Sequence, residues 1–455
     1  MLKRLVRFVR SSIGALDGHI RDVLFRGGAA FLLRVIGAGL SFAVNVIIAR
    51  LLGAEGAGVY FLSLTVASIG GMIGRMGLNN TLMRFVAERA SQKEWRAVQT
   101  TYRRGLTIAV VASVAVAIVL SAGAGIIASR VFAVPELEAP LRIMAWGIPV
   151  LALVSLHTDL LKGIDEVERA MLLRGFGVPL LAAPLLLIVA GPYGVQGAVL
   201  VYVGASVVVA AVGGYFWYSC TPDVGVDWGR DPEVHVTYRD LLRSSLPLLV
   251  VASMGKVIRW TDTILLGIWE SARVVGVYEV AFKTSMLTTF ILMAANSVAA
   301  PRFASLHAQG DKEGLEKLLQ QVTLLVSLLT LPIAFVFIVF PQHVLGVFGA
   351  EFNVGAGALI ILVLGQFIGV ATGGVISVLV MTGNEKTARN VTTLGAASNF
   401  VLNVVLVPAY GMYGAAVGTA LSTAIMNVMA LYAVYNSLSI TSIPLRILRN
   451  REQWN

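Results

Sequence analysis

The chain has 455 residues, 57% of them hydrophobic and 13% charged, with a mean hydropathy of +0.81. A soluble protein carries about a quarter charged residues, so this composition excludes a soluble globular domain and describes an all-α integral membrane protein. Lys and Arg outnumber Asp and Glu by 35 to 25, but the basic residues alternate with apolar runs, a pattern that sets membrane orientation and argues against nucleic acid as a partner.

Residues 1–26, beginning MLKRLVRFVR, are basic and lack the apolar core and cleavage site of a signal peptide. Leu2, Leu5, Phe8 and Val9 among arginines predict a short amphipathic helix on the cytoplasmic membrane surface. Runs of about 20 apolar residues suffice to cross a bilayer, and twelve are expected. They lie near 27–51, 57–82, 105–129, 140–161, 171–190, 194–218, 243–268, 273–299, 317–340, 355–381, 387–407 and 412–437. Of the 35 Lys and Arg, 26 fall in the terminal segments and alternate loops, whereas the other loops hold only Arg130, Arg142 and Arg273. That bias predicts a multi-pass protein of the inner (plasma) membrane with both termini cytoplasmic.

The two halves resemble one another. Gly58-Val59-Tyr60 recurs as Gly276-Val277-Tyr278 and Arg84-Phe85 as Arg302-Phe303, while Tyr193-Gly194 recurs as Tyr410-Gly411. A near-constant offset argues for duplication of six spans, and an even number gives both halves one orientation. The expected organisation is a six-helix lobe at 27–218, a cytoplasmic linker at 219–242, a second six-helix lobe at 243–437 and a cytoplasmic tail at 438–455. Pro149, Pro179, Pro184, Pro247 and Pro332 lie inside spans, either as bending points or as static kinks.

Six basic residues fall within spans or at their ends: Arg34, Arg50, Arg75, Lys256, Arg259 and Lys283. Ionisable groups in hydrocarbon are costly unless they face a partner or a watery cavity, so they mark candidate sites. At a rise of about 1.5 Å per residue, Lys256 and Lys283 come near the bilayer midplane, with Arg34 and Arg75 in a second layer closer to the cytoplasm. Lys256, Arg259 and Asp262 follow at steps of three along one stripe, and Glu279 precedes Lys283 by four. Arg34, Arg75, Lys256, Arg259 and Lys283 are the expected binding residues for an anion with several oxygens, such as a diphosphate. The alternative is that Arg259–Asp262 and Glu279–Lys283 are neutralising pairs that merely hold the bundle together. Asp262 and Glu279 are also candidates for adjusting the cavity charge or coupling it to H+ or Na+.

His157 and Asp159, beside Lys162, are either a proton relay or solvated interfacial residues. Asn45, Asn79, Asn80, Asn399 and Asn403 either bind sugar hydroxyls or join helices to each other. There is no P-loop, no metal-ligand cluster, no nucleophile elbow and only one cysteine, Cys220. No cofactor, metal site or catalytic residue is therefore expected, and catalysis is not the expected activity.

The run Ala49-Arg50-Leu51-Leu52-Gly53-Ala54-Glu55-Gly56-Ala57-Gly58-Val59-Tyr60 resembles the ARxLGxxGxGxY pattern of the polysaccharide-flippase branch of the multidrug/oligosaccharidyl-lipid/polysaccharide exporter superfamily. Thr261 to Gly267 (TDTILLG) is similar to that family's seventh helix, and Tyr410 to Ser422 (YGMYGAAVGTALS) to its last. The resemblance implies two six-helix lobes facing a central cavity that alternates between inward-open and outward-open states. It also implies an anionic substrate, an undecaprenyl-diphosphate-linked oligosaccharide turned to the outer leaflet for O-antigen, capsule or exopolysaccharide assembly. Membrane lipids, a polymerase and other envelope polysaccharide assembly proteins are the implied partners. Related lipid II flippases add two C-terminal helices, which the twelve expected spans do not include. The alternative is a cation-coupled multidrug exporter of the same fold, which would call for an acidic cavity. A third is a membrane scaffold that recruits polymerase partners.

Overall fold

The structure, a computed structural model, describes the backbone of residues 18–222 and 237–442. Within these it describes every side chain except those of 18–35, 174, 247, 248, 250–255, 257 and 258. The expected surface helix up to residue 17, most of the linker and the end of the tail lie outside the described residues. The described chain is helical: α1 (Gly18–Gly74), α2 (Leu78–Ser91), α3 (Trp95–Ile126), α4 (Glu138–Gly163), α5 (Val167–Met171), α6 (Val178–Cys220) and α7 (Tyr238–Trp269). It continues with α8 (Ala272–Ser285), α9 (Phe290–Ala308), α10 (Lys312–Val339), α11 (Pro341–Gly346), α12 (Ala356–Thr372), α13 (Val375–Met381) and α14 (Glu385–Leu438).

A helix satisfies its backbone polar groups within one segment and without water, which is why apolar runs of this length fold this way in lipid. Their outward faces are apolar too: Val119 is 73% exposed and Ile188 71%. A water-soluble bundle would bury such residues, so the outer surface is a lipid surface and the protein is multi-pass.

Eight helices among the described residues are long and apolar enough to cross a bilayer. Three of them contain a non-helical glycine, Gly53 (φ 68°, ψ −178°), Gly194 (φ 55°, ψ −139°) and Gly411 (φ 54°, ψ −132°). Each falls where the sequence expects one span to end and the next to begin, and twelve spans follow if the chain turns back at each and α7 also crosses. Gly194 and Gly411 are equivalent in the sequence repeat and share one backbone conformation, which a side chain would strain. The duplication is therefore visible in dihedral angles as well as in residues.

The second repeat pair does something further. A Cβ on Gly58 would overlap the carbonyl oxygen of Ala272, and one on Gly276 would overlap that of Ala54. The contact is reciprocal, as a two-fold axis between halves requires, and α1 and α8 pack backbone to backbone there. Arg50 reinforces the join by donating from Nε to the Val347 carbonyl at 2.7 Å. Around it one continuous core takes residues from both halves, including Ile48, Phe61, Tyr278, Phe348 and Phe352.

The opposite end of the bundle carries the basic loops, and its cores are separate. One cluster around Leu82, Leu156 and Trp217 belongs to the first half, and one around Phe303, Val378 and Val434 to the second. The start of α7 crosses between them: Leu241 is buried in the first-half cluster, and a Cβ on Gly77 would overlap the Ser245 carbonyl oxygen. Thr237 and Asp240 close a reciprocal cap on α7, in which Thr237 N donates to Asp240 at 2.9 Å and Asp240 N to Thr237 Oγ1 at 3.2 Å.

Candidate functional site

Between the two halves lies a cavity of about 370 Å³, within the range of small-molecule sites. Among the described residues, Arg75, Lys256, Arg259 and Lys283 line it together with one acid, Glu279, so four cations face a single carboxylate. Arg75 comes from the first half and the other three from the second. Arg75, expected in the layer nearer the cytoplasm, thus shares one cavity with the three cations expected nearer the midplane. The second span breaks just past Arg75: α1 ends at Gly74, and Met76 (φ 48°) and Gly77 (φ 75°) turn the chain before α2. The side chain of Arg34 lies outside the described residues.

The cations are presented in different ways. Lys256 and Arg259 are exposed to the cavity, and Lys256 Nζ lies 5.9 Å from the centre of the Trp260 ring. Lys283 Nζ sits 4.6 Å from the Phe61 ring centre, across the interface between halves, and 3.3 Å from Glu279 Oε2. The Glu279–Lys283 pair is therefore real, yet it stands in the cavity wall, with Lys283 still a quarter exposed. Thr263 donates to the other oxygen of Glu279.

Asp262 does not pair with Arg259. It is 2% exposed and points into the second half, where Tyr278 Oη donates to it at 2.6 Å, Thr419 Oγ1 at 2.5 Å and Asn399 Nδ2 at 3.4 Å. Each step of three residues falls about 60° short of a full helical turn. A stripe that begins in the cavity at Lys256 has consequently rotated into the lobe by Asp262. Asn399 Oδ1 and Asn403 Oδ1 are buried close by in sequence with no hydrogen-bond partner.

The other polar residues singled out from sequence bond either to a neighbouring helix, as Asn79 does, or back onto their own, as Asn45 and Asn403 do. Asn79 Nδ2 donates to Ser155 and Asp159 at 2.8 and 2.7 Å, Asn45 to the Ser41 carbonyl at 2.6 Å and Asn403 to the Asn399 carbonyl at 2.9 Å. Asp159 is neutralised by Lys162 at 2.6 Å. His157 is buried rather than solvated, with Nε2 3.0 Å from Tyr102 Oη and Tyr102 stacked on Trp217. Sequence reasoning missed the aromatic lining, Tyr202, Trp260 and Phe282. An aromatic in an apolar span carries no sign of which face it occupies.

Residues 26–307 match the family described as polysaccharide biosynthesis protein, and residues 247–405 match the MatE family. The probable low-salt glycan biosynthesis flippase Agl15 of Haloferax volcanii is 30% identical over 196 residues, 42% of this chain and 41% of that protein. The probable flippase AglR of the same organism is 25% identical over 178 residues, 38% of this chain and 37% of that one. The chain thus spans about two fifths of the length of these curated relatives. Among solved structures, the lipid II flippase MurJ in an inward closed conformation superposes with a TM-score of 0.73 at 12% identity, covering 91% of this chain and 88% of that one. An inward-facing multidrug resistance MATE transporter superposes with a TM-score of 0.67 at 15% identity, covering 90% and 98%. These likenesses establish the fold, the MATE-like architecture of the superfamily that the motifs resemble. With the first family match running through well over half of its length, the chain belongs to the polysaccharide biosynthesis protein family of that superfamily.

Proposed function

We propose that this protein flips a polyprenyl-diphosphate-linked oligosaccharide from the cytoplasmic to the outer leaflet by alternating access, in the service of envelope or surface glycan assembly. The observation that supports this most is the charge of the central cavity, four cations against one carboxylate in a wall otherwise made of apolar and small polar groups. In such surroundings charge-assisted hydrogen bonds strengthen, and a diphosphate supplies the oxygens they need. Lys256, Arg259, Lys283 and Arg75 hold the diphosphate, with Arg34 as a further candidate, while the polyprenyl tail stays in the lipid. Asp262, with the unpartnered carbonyl oxygens of Asn399 and Asn403, is the site we assign to coupling by H+ or Na+. Polymerase and other assembly proteins are the partners this role calls for.

The test is reconstitution of the full chain into liposomes with a fluorescent short-chain polyprenyl-diphosphate disaccharide, read by quencher protection. Wild type moves the probe between leaflets, and Lys256→Ala, Arg259→Ala and Lys283→Ala each slow it about ten-fold or more, the worth of one charge-assisted bond. Unchanged rates in all three would remove the site assignment. A cation-coupled drug exporter is the second reading, supported by the MatE match over residues 247–405. It calls for uptake of cationic dyes by the same liposomes, which the cavity's positive charge opposes.

A further inference from the structure

A second, uncharged cavity of about 240 Å³ lies within the second half, nearer the basic end. Its polar lining is made of amides and hydroxyls, among them Asn296, Gln366, Ser377, Thr423 and Asn427, and no charged residue lines it among the described residues. A further open space shares Thr289, Leu292 and Asn296 with it, so the cavity is open on its α9 side.

Two features set this cavity apart from an ordinary gap between helices. Asn296 Oδ1 is buried without a hydrogen-bond partner, and the side chains of Gln366 and Ser377 make no hydrogen bond to described residues. A buried amide oxygen without a partner is costly, so it persists where a ligand or water meets it. Next, the span made by α12 and α13 is broken at Gly373 (φ 77°, ψ −161°) and Gly374, beside Asn296. In a membrane protein, irregular backbone is tolerated where it lines a cavity. Asn427, by contrast, is already anchored, accepting from Thr372 Oγ1 at 3.0 Å and donating to the Thr423 carbonyl at 2.8 Å. The wall therefore combines fixed and free polar groups.

Its position links it to the cationic site. Phe282, in the wall of the central cavity, leads through a 3₁₀ turn at Met286–Thr289 into the helix that carries Leu292 and Asn296, so the cavity-lining face of one helical run serves both sites. Thr289 lies roughly 9 Å along the axis from Lys283 at 1.5 Å per residue. A molecule held by its diphosphate at Lys283 would extend its next group along this face.

We propose that this cavity is a glycan subsite, in which the neutral amides and hydroxyls bind the hydroxyl groups of an uncharged sugar attached to the diphosphate. A carboxamide offers a donor and an acceptor, as each sugar hydroxyl does, and the absence of charge on the lining makes it a poor place for phosphate. Leu292, Val370 and Met426 supply apolar surface for the sugar's C–H faces. The assignment rests on the lipid-linked glycan reading above, and it names the part of the site that distinguishes a glycan-bearing substrate from a bare lipid diphosphate.

The experiment uses the full chain in nanodiscs and two probes, farnesyl diphosphate and farnesyl diphosphate carrying a neutral hexose disaccharide, with affinities measured by calorimetry. Wild type binds the sugar-bearing probe about ten-fold tighter, the effect of one or two net hydrogen bonds. In Gln366→Ala and Asn296→Leu that gain falls below about threefold, while affinity for farnesyl diphosphate is unchanged. Gln366 makes no hydrogen bond to described residues, so its variant keeps the fold, as an unaltered melting temperature verifies. Equal affinity of wild type for the two probes, or a gain that survives both substitutions, overturns the subsite alone. Failure of wild type to bind either probe overturns the subsite together with the reading beneath it.

Discussion

Lys283 illustrates how much one side chain's neighbours decide. It touches a carboxylate of its own helix at 3.3 Å and an aromatic ring of the other half at 4.6 Å, so its charge is partly engaged yet still faces the cavity. Removing the competing acid should release it: Glu279→Gln is expected to tighten farnesyl diphosphate binding by about ten-fold, equivalent to about 1.4 kcal/mol. Calorimetry on the purified variant checks this, and weaker binding would mean that Glu279 positions Lys283 rather than competes for it. Asp262 belongs to a different environment. Its three donors are all uncharged and buried, so a carboxylate at this point is held by hydroxyls and an amide and not by the cavity cations.

Among the elements, the contact between α1 and α8 carries the most geometric information. Gly58 and Gly276 let the two helices approach until the backbones touch, and each meets the alanine carbonyl equivalent to the other's. Gly58→Val or Gly276→Val must separate the halves at the end opposite the basic loops. Either is expected to stop transport and to expose a cysteine introduced at Ala54 to a membrane-impermeant thiol reagent, in a Cys220→Ser background. The double variant should add little to either single one, because both break the same contact. Full transport by a variant would show that the close approach has no part in the cycle. The breaks at Gly194 and Gly411 act differently, ending one helical run and starting another without a tight neighbour at Gly194.

At the scale of the whole molecule, the cores are arranged unevenly. One continuous core unites the halves at one end, and separate cores serve them at the other. A bundle packed in this way opens most readily at the end where the cores are divided. If the loops rich in Lys and Arg face the cytoplasm, as charge bias requires, that opening is cytoplasmic and suits loading of a lipid-linked substrate made inside. Reporter fusions check the orientation: a fluorescent protein at residue 442 should fold and glow, whereas alkaline phosphatase inserted after Gly349 should be active. The reverse pattern would place the divided end outside and invert the proposed direction of flipping.

The membrane class, the duplication and the identity of the intramembrane cations were legible in the residues themselves. Apolar length, loop charge and repeat offset are properties of the chain in order, and hydrocarbon enforces them whatever the packing. Which way each side chain points was not legible. Asp262 and Arg259 are three residues apart, yet one enters a buried hydrogen-bond network and the other the cavity. Arg75, from the first half, meets the second-half cations in one cavity, which its place in the chain does not announce. The uncharged cavity around Asn296 and Gln366 gave no signal at all, since isolated amides in apolar spans usually join helices, as Asn79 and Asn399 do here. Sequence alone determined what the bilayer would select, the long apolar helices and the sign of the charge among them. Tertiary structure decided which of those charges share a cavity, because helix rotation, helix breaks and the two-fold contact between halves depend on residues hundreds of positions apart.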